Sequence, residues 1–360
     1  MSLLPDGSAL GLDFWRAAPK VLLHEHIDGG LRPQTLLELC QARNISLPVN
    51  TAVDVAQWLQ GNANSGSLER YVAAFAPIVA AMASAAACEQ VAFEAAEDAR
   101  LDGCVLAEFR MAPLLLEPHG LAPEAAIEAL VRGLQRSAMP AGLIVCAMRT
   151  DSAEQVERAA RLAAQYAGQG VVGFDLAGAE YGFPATRHRR AVDIARAAGL
   201  GITLHAGEAD GGHRVQEAIE LGATRIGHGV QIARPLPGEA ATSAQQRMDE
   251  VAALRVDGKP VHFEVCPTSN THTGVCTSLA DHPLPAMVMA GLDVSVHTDN
   301  RLISGVTHSG ELAAVHAVMG WTLPQFADTL RSATQASFMS DVVKGRVLEQ
   351  IGQWRMLLIS

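Results

Sequence analysis

Lysine is almost missing from this chain, whose 27 basic residues include only Lys20, Lys259 and Lys344. Acidic residues outnumber the basic ones, 38 to 27, and the formal charge is −11. A surplus of that sign argues against nucleic acid or an anionic membrane surface as a partner. Aromatic residues make up only 4% of the chain, so the hydrophobic 49% rests on aliphatic side chains and alanine, which suits close-packed helices. The six cysteines (Cys40, Cys88, Cys104, Cys146, Cys266 and Cys276) include no CxxC pair. Several stand in apolar strands, where a reduced, packed thiol is the ordinary state. No uninterrupted apolar run reaches the roughly 20 residues that a membrane-spanning helix needs. The N-terminal stretch MSLLPDGSALGLDFW has no basic head before an apolar segment, unlike a secretory signal. The expectation is a soluble, cytoplasmic protein.

What is present is a rhythm. An apolar strand, KVLLHEH, opens it near Lys20. Seven further strands are expected over Gly103–Pro113, Gly142–Thr150, Gly170–Glu180, Gly201–Glu208, Thr224–Val230, Val261–Asn270 and Gly291–Asn300. Helical patterning fills the intervals, over Cys88–Leu101, Pro123–Arg136, Ser152–Ala167, Arg187–Ala198, His213–Leu221, Gln245–Leu254 and Asp281–Ala290, and a helical tail follows. Short apolar strands alternating with helices imply a parallel sheet covered on both faces. Eight of them point to an α/β protein of the (β/α)8 TIM-barrel type, one domain over residues 1–360. An open doubly wound sheet is disfavoured because no GxGxxG turn follows the first strand. The segment Arg32–Ser84 is an insertion of helical character with an expected break at Gly61–Gly66 and a helix entry at Ser67. Placed directly after the first strand, it is either a cover over whatever that strand carries or a plain structural insertion.

The first strand runs into His24-Glu25-His26, then Asp28 and a glycine pair. Alternate side chains on a strand share a face, so His24 and His26 project together about 7 Å apart. That spacing suits two imidazoles converging on one ion. Other groups with chemical potential sit at the C-terminal ends of later strands: Glu180, His205, Glu208, His228 and Asp299. Each has an ordinary reading alone: His205 as a packed core histidine, His228 as a strand end, Asp299 as a helix cap. Their coincidence at one end of successive strands favours the barrel, whose strands all deliver those ends to a single face. Three histidines and an aspartate form a mixed N/O set suited to a divalent ion such as Zn²⁺.

Seven motifs, PKVLLHEHIDGG, SGSLERY, DLAGAE, HAGE, RIGHG, CPTSN and HTDN, carry a resemblance to the adenosine deaminase family of metal-dependent hydrolases, from about Pro19 to the final helix. The resemblance implies a barrel holding one Zn²⁺ and hydrolytic removal of the 6-amino group of a small-molecule purine nucleoside. Matched residue by residue, it implies His24, His26, His205 and Asp299 as metal ligands. It further implies Glu208 as the acid that protonates purine N1 and His228 beside the attacking water, as base or electrostatic partner. By the same matching Asp28 and His26 meet the ribose, and the backbone N–H of Gly178 meets N3.

That chemistry is coherent on its own terms. An aromatic carbon is a poor electrophile, and bound zinc lowers the pKa of water toward about 7. A positioned acid at N1 removes charge as it forms, which is worth roughly 10²–10⁴-fold in rate. Related binuclear enzymes bridge two metals with a carbamylated lysine on the fourth strand. Gly170–Glu180 contains no lysine, so one metal is expected. The chain departs from the common family pattern at Asn300, where a second aspartate contacts purine N7; an amide still donates to that acceptor. His297, two residues before Asp299, is expected to pack beneath the site. Two rivals stand beside adenosine: another 6-aminopurine (adenine, a nucleotide or a modified nucleoside), and an inactive binding relative. Asp28 favours a hydroxyl over a phosphate at the 5′ end.

Overall fold

The computed structural model describes residues 10–73, 75–240 and 242–357. The first nine residues of the N-terminal stretch considered above lie outside that range. Eight parallel strands form one curled sheet: β1 (Lys20–His26), β2 (Cys104–Met111), β3 (Ala141–Met148), β4 (Val171–Ala177), β5 (Gly201–Ala206), β6 (Arg225–His228), β7 (His262–Val265) and β8 (Asp293–Val296). They neighbour one another in chain order, as a (β/α)8 barrel requires. The seam between β8 and β1 closes through a bridge at Glu25 and Asp299. The N–H of His26 donates to Asp299 O at 2.8 Å, and that of Asp299 donates to His24 O at 3.0 Å. The tail helix Leu323–Ala336 packs against both strands at this seam.

The crossover helices form where apolar residues recur on one face and the entry is capped. In Ala153–Gln165 the Ser152 side chain accepts the N–H of Gln155, while Val156, Ala159, Ala160 and Ala163 make the buried stripe. The bottom of the barrel is plugged by Phe338. Its ring lies under the Arg225 guanidinium at 4.0 Å and so close to Gly201 that a Cβ there would sit 2.1 Å from it.

Several expected boundaries move. The strand expected to reach Asn270 stops at Val265, because Pro267 starts a helix, Pro267–His272. The strand expected to reach Asn300 stops at Val296, leaving Asp299 in the loop beyond it. The helix expected from Asp281 begins at Leu284, after a 3-10 turn over Leu279–Asp281 and Pro283. The break expected over Gly61–Gly66 begins later, at Asn64. Helix Ala52–Ala63 runs through Gly61 because Val55, Leu59 and Ala63 bury one continuous face. Unanticipated elements include helix Leu12–Ala17, which buries Trp15, and a small hairpin joining Arg255–Val256 to Lys259–Pro260. The Asp257-Gly258 pair at its tip, with both residues at positive φ, is the turn signal that marked it. Among the described residues no single helix is long and apolar enough to cross a bilayer.

Candidate active site

The C-terminal ends of the strands bring the predicted residues to one mouth. One ligand atom from each of His24, His26, His205 and Asp299 lies within 4.8 Å of the others. His26 Nε2 is 3.2 Å from His205 Nε2, and Asp299 Oδ1 is 3.4 and 3.5 Å from Nε2 of His24 and His26.

The opposite sides of two rings show which nitrogen holds the proton. His24 Nδ1 is 2.8 Å from Glu264 Oε2, and His205 Nδ1 is 2.9 Å from Asp175 Oδ2. Each ring therefore gives its Nδ1 proton to a carboxylate and turns an Nε2 lone pair inward, the arrangement that orients metal-ligating histidines. His24 Nε2 is buried with no hydrogen-bond partner. Burial holds the His205 ring below the usual histidine range and His26 well below it, so both stay neutral, as ligation requires. Inward lone pairs and a carboxylate converging at this spacing fit a small divalent cation.

Beneath the cluster is a charged layer that sequence reasoning missed. Arg110 on β2 donates to Asp175 at 2.8 Å and to Glu264 at 2.6 Å. Glu264 also accepts from Thr203 Oγ1 at 2.9 Å and from Arg225 Nε. Arg225 reaches Glu108 in turn. Burial works against the Glu264 charge, but Arg225 and Arg110 beside it hold the carboxyl well below its usual range. The available signal was the charged residues Glu108, Arg110, Asp175, Arg225 and Glu264 inside otherwise apolar strands; such groups enter a core only when paired. His297 belongs to this layer, with Nδ1 accepting from Leu23 N–H at 3.2 Å and Nε2 against Ser295 Oγ at 2.6 Å.

Glu208, His228, Asp28, Gly178 and Asn300 line the same pocket as His26, His205 and Asp299. Burial, then the nearby Asp299 and Glu180 charges, push the Glu208 carboxyl well above its usual range, so it keeps its proton. Its backbone is held by Glu180, whose carboxylate accepts N–H groups from Gly207, Glu208, Ala209 and Asp210 at 2.6, 3.1, 2.7 and 2.9 Å. His228 Nε2 stands 3.7 Å from Glu208 Oε2. His228 and Asp299 adopt φ of +61° and +60°, a conformation rare for residues with side chains and one that collects at functional sites.

Burial raises Asp28 to about 7. The Oδ1 atoms of Asp28 and Asn300 are buried without hydrogen-bond partners, leaving polar groups for a ligand to satisfy. Asn300 Oδ1 lies where a Cβ on Gly29 would be, only 1.8 Å away, which explains a glycine at that position. Leu68, Tyr71, Val72 and Phe75 of the insertion supply an apolar wall, so the insertion covers the pocket. A larger cleft at the opposite end of the barrel, beside Phe338, Lys259 and Lys344, holds none of these groups.

Residues 19–354 match the family model described as Adenosine deaminase. The chain is 38% identical to an adenosine deaminase from Mycolicibacterium gilvum over 353 residues, covering 95% of this chain and 96% of that protein. It is 40% identical to one from Mycobacteroides abscessus over 315 residues, 84% and 86% of the two chains. Among solved structures it is similar to an adenine deaminase from Arthrobacter aurescens, with TM-score 0.81, 25% identity, and 94% and 100% of the two chains covered. It also shares its fold with an amidohydrolase from Burkholderia ambifaria described with bound Zn, with TM-score 0.84, 21% identity, and 99% and 96% covered.

Proposed function

The chain belongs to the adenosine deaminase family and acts in adenosine deamination; on that premise we propose how its own residues carry the reaction. Adenosine, and deoxyadenosine with it, is hydrolysed to the corresponding inosine and ammonia. One Zn²⁺ is held by His24, His26, His205 and Asp299. When bound, that cation lowers the pKa of water toward about 7 and so supplies the nucleophile at neutral pH.

The remaining work falls to the protein. Protonated Glu208 donates to purine N1 as electron density arrives there. His228 stands beside the oxygen that attacks C6. Gly178 offers its N–H to N3, Asn300 its amide to N7, and Asp28 with His26 meets the ribose. The apolar wall of Leu68, Tyr71 and Phe75 shields the pocket from bulk water, which strengthens each of these contacts.

The observation that carries the reading is the junction, in one buried pocket, of a four-donor cluster with a carboxyl that burial keeps protonated. Two further features favour a nucleoside over a nucleotide and one metal over two. No lysine or arginine stands among the described residues lining the pocket, while Asp28 does, so a 5′-phosphate would find no counter-charge there. The fourth strand supplies no lysine to bridge a second ion.

Ultraviolet monitoring of adenosine conversion, with ammonia release from adenosine, deoxyadenosine, adenine and AMP compared, tests the substrate. Turnover of AMP or adenine in preference to adenosine would overturn it. Metal analysis, then chelation and zinc add-back, tests the cofactor, with Glu208→Gln as the inactive control.

A further inference from the structure

A line of buried hydrogen bonds runs from the turn before helix Leu284–Met289 to the wall of the pocket, and its polarity can be read without ambiguity. The backbone N–H of Leu284 donates to His282 Nδ1 at 3.0 Å. A backbone amide only donates, so Nδ1 of that ring carries a lone pair and the proton of the neutral ring is on Nε2. His282 Nε2 lies 3.2 Å from Asn270 Oδ1. This contact fixes the oxygen end of the Asn270 amide and leaves Nδ2 3.1 Å from His228 Nδ1. An amide NH₂ also only donates, so Nδ1 of His228 is a lone pair, and its single proton sits on Nε2, the nitrogen nearest Glu208. Turning the amide over would set Nδ2 against the His282 N–H, donor against donor. All three side chains are buried, so no bulk water is available to repair such a mismatch.

We infer that His282 and Asn270, neither of which lines the pocket, are positioning residues that lock His228 as an Nε2–H donor toward the reaction centre. The ring then stabilises negative charge on the oxygen that attacks C6, and has no lone pair on that side with which to take a proton. Of the two roles open to this histidine, base or electrostatic partner, the relay selects the second. Burial supports the assignment at its far end, holding His282 down at about 3 and therefore neutral. The inference rests on the proposed reaction only for the identity of the oxygen; the tautomer itself depends on the three contacts alone.

The test reads the tautomer directly. Two-bond ¹H–¹⁵N spectra of ¹⁵N-histidine-labelled, zinc-loaded enzyme without substrate should show His228 protonated on Nε2. Asn270→Asp replaces the donor by a carboxylate that accepts, so the proton should move to Nδ1. Its kcat for adenosine should fall about 10²–10³-fold, the loss expected of one removed oxyanion donor, with KM little changed. His282→Leu frees the amide and should give mixed tautomers, while His282→Gln still donates to Asn270 Oδ1 and should restore the wild-type pattern and rate to within a few-fold. Equal zinc content and melting temperature across the set separate this from misfolding. An Nδ1–H tautomer in the wild type, or an inverted tautomer with undiminished kcat, overturns the inference. A clean Nε2–H signal in an enzyme that ignores adenosine would instead refute the substrate while leaving the relay intact.

Discussion

Glu25 and Asp299 face each other across the barrel seam, and the bridge between them does two things at once. It closes the sheet, and it spaces the four-donor cluster, because His24 and His26 flank Glu25 while Asp299 is itself a member. The Glu25 side chain points away from the cluster to Thr298 Oγ1, at 2.7 Å, and to Arg301 Nε. Arg301 also donates to Gly30 O at 3.2 Å, so one guanidinium ties both strand ends together.

Removing that tie should therefore loosen fold and site together. Arg301→Met leaves the fully buried Glu25 carboxylate without its cation. The expected loss of stability is about 3 kcal/mol, the low end for a broken buried pair because Arg301 keeps some contact with solvent. Urea unfolding of the metal-free protein measures it; an unchanged midpoint would refute the role.

Asp175 orients His205 through both its ring and its backbone N–H, the latter at 3.2 Å. Asp175→Asn removes the charge that favours the Nδ1–H tautomer while preserving shape. Zinc affinity should weaken by about 10–100-fold, as outer-shell substitutions at histidine ligands do. Competition with a chromogenic chelator reads this without any turnover, and undiminished affinity would count against His205 as a ligand.

The raised Glu208 carboxyl has a definite signature against pH. Burial and the neighbouring Asp299 and Glu180 charges favour its protonated form, so the proposed N1 donor keeps its proton at neutral pH and loses it as pH rises through its elevated pKa. The kcat/KM profile should fall on that alkaline side. Glu180→Gln removes one of the raising charges and should move the fall to lower pH, whereas Glu208→Gln should cost roughly 10²–10⁴-fold where the wild-type carboxyl is protonated and progressively less above its elevated pKa.

Much of this arrangement was legible before any coordinates, and the rest was hidden for a consistent reason. Alternation of short apolar strands with helices announces a barrel, and His24 with His26 announces a shared face, because both signals are local. The boundaries at Asn270 and Asn300 move because Pro267 opens a helix just after Val265, and because a polar loop carrying Asp299 follows Val296. What stayed hidden is the layer under the site. Glu264 meets His24 across 240 residues and Arg110 across 154, so no spacing rule connects them. His282 and Asn270 are closer together, but the pattern puts Asn270 at the end of a strand and His282 in a helix, and a side-chain relay between them has no periodicity to reveal it. Inward-pointing charges in apolar strands were the one visible clue.

Asn300 offers the sharpest separation between this chain and the common pattern. An aspartate at this position can donate to purine N7 only while protonated, whereas an amide donates at any pH. Asn300→Asp would place a carboxyl in a buried wall that already holds Asp28 and Asp299. Neighbouring charge of like sign makes ionisation there costly, and the ionised form repels the N7 lone pair. The variant should therefore turn over adenosine about 10-fold more slowly at high pH, the scale of one lost hydrogen bond, and recover as pH falls. The wild type should show no such dependence from this contact. 7-Deazaadenosine, which lacks the N7 acceptor, supplies the control: the wild type should disfavour it relative to adenosine, and Asn300→Ala should erase that preference. Equal discrimination by wild type and Asn300→Ala would remove Asn300 from the substrate contacts.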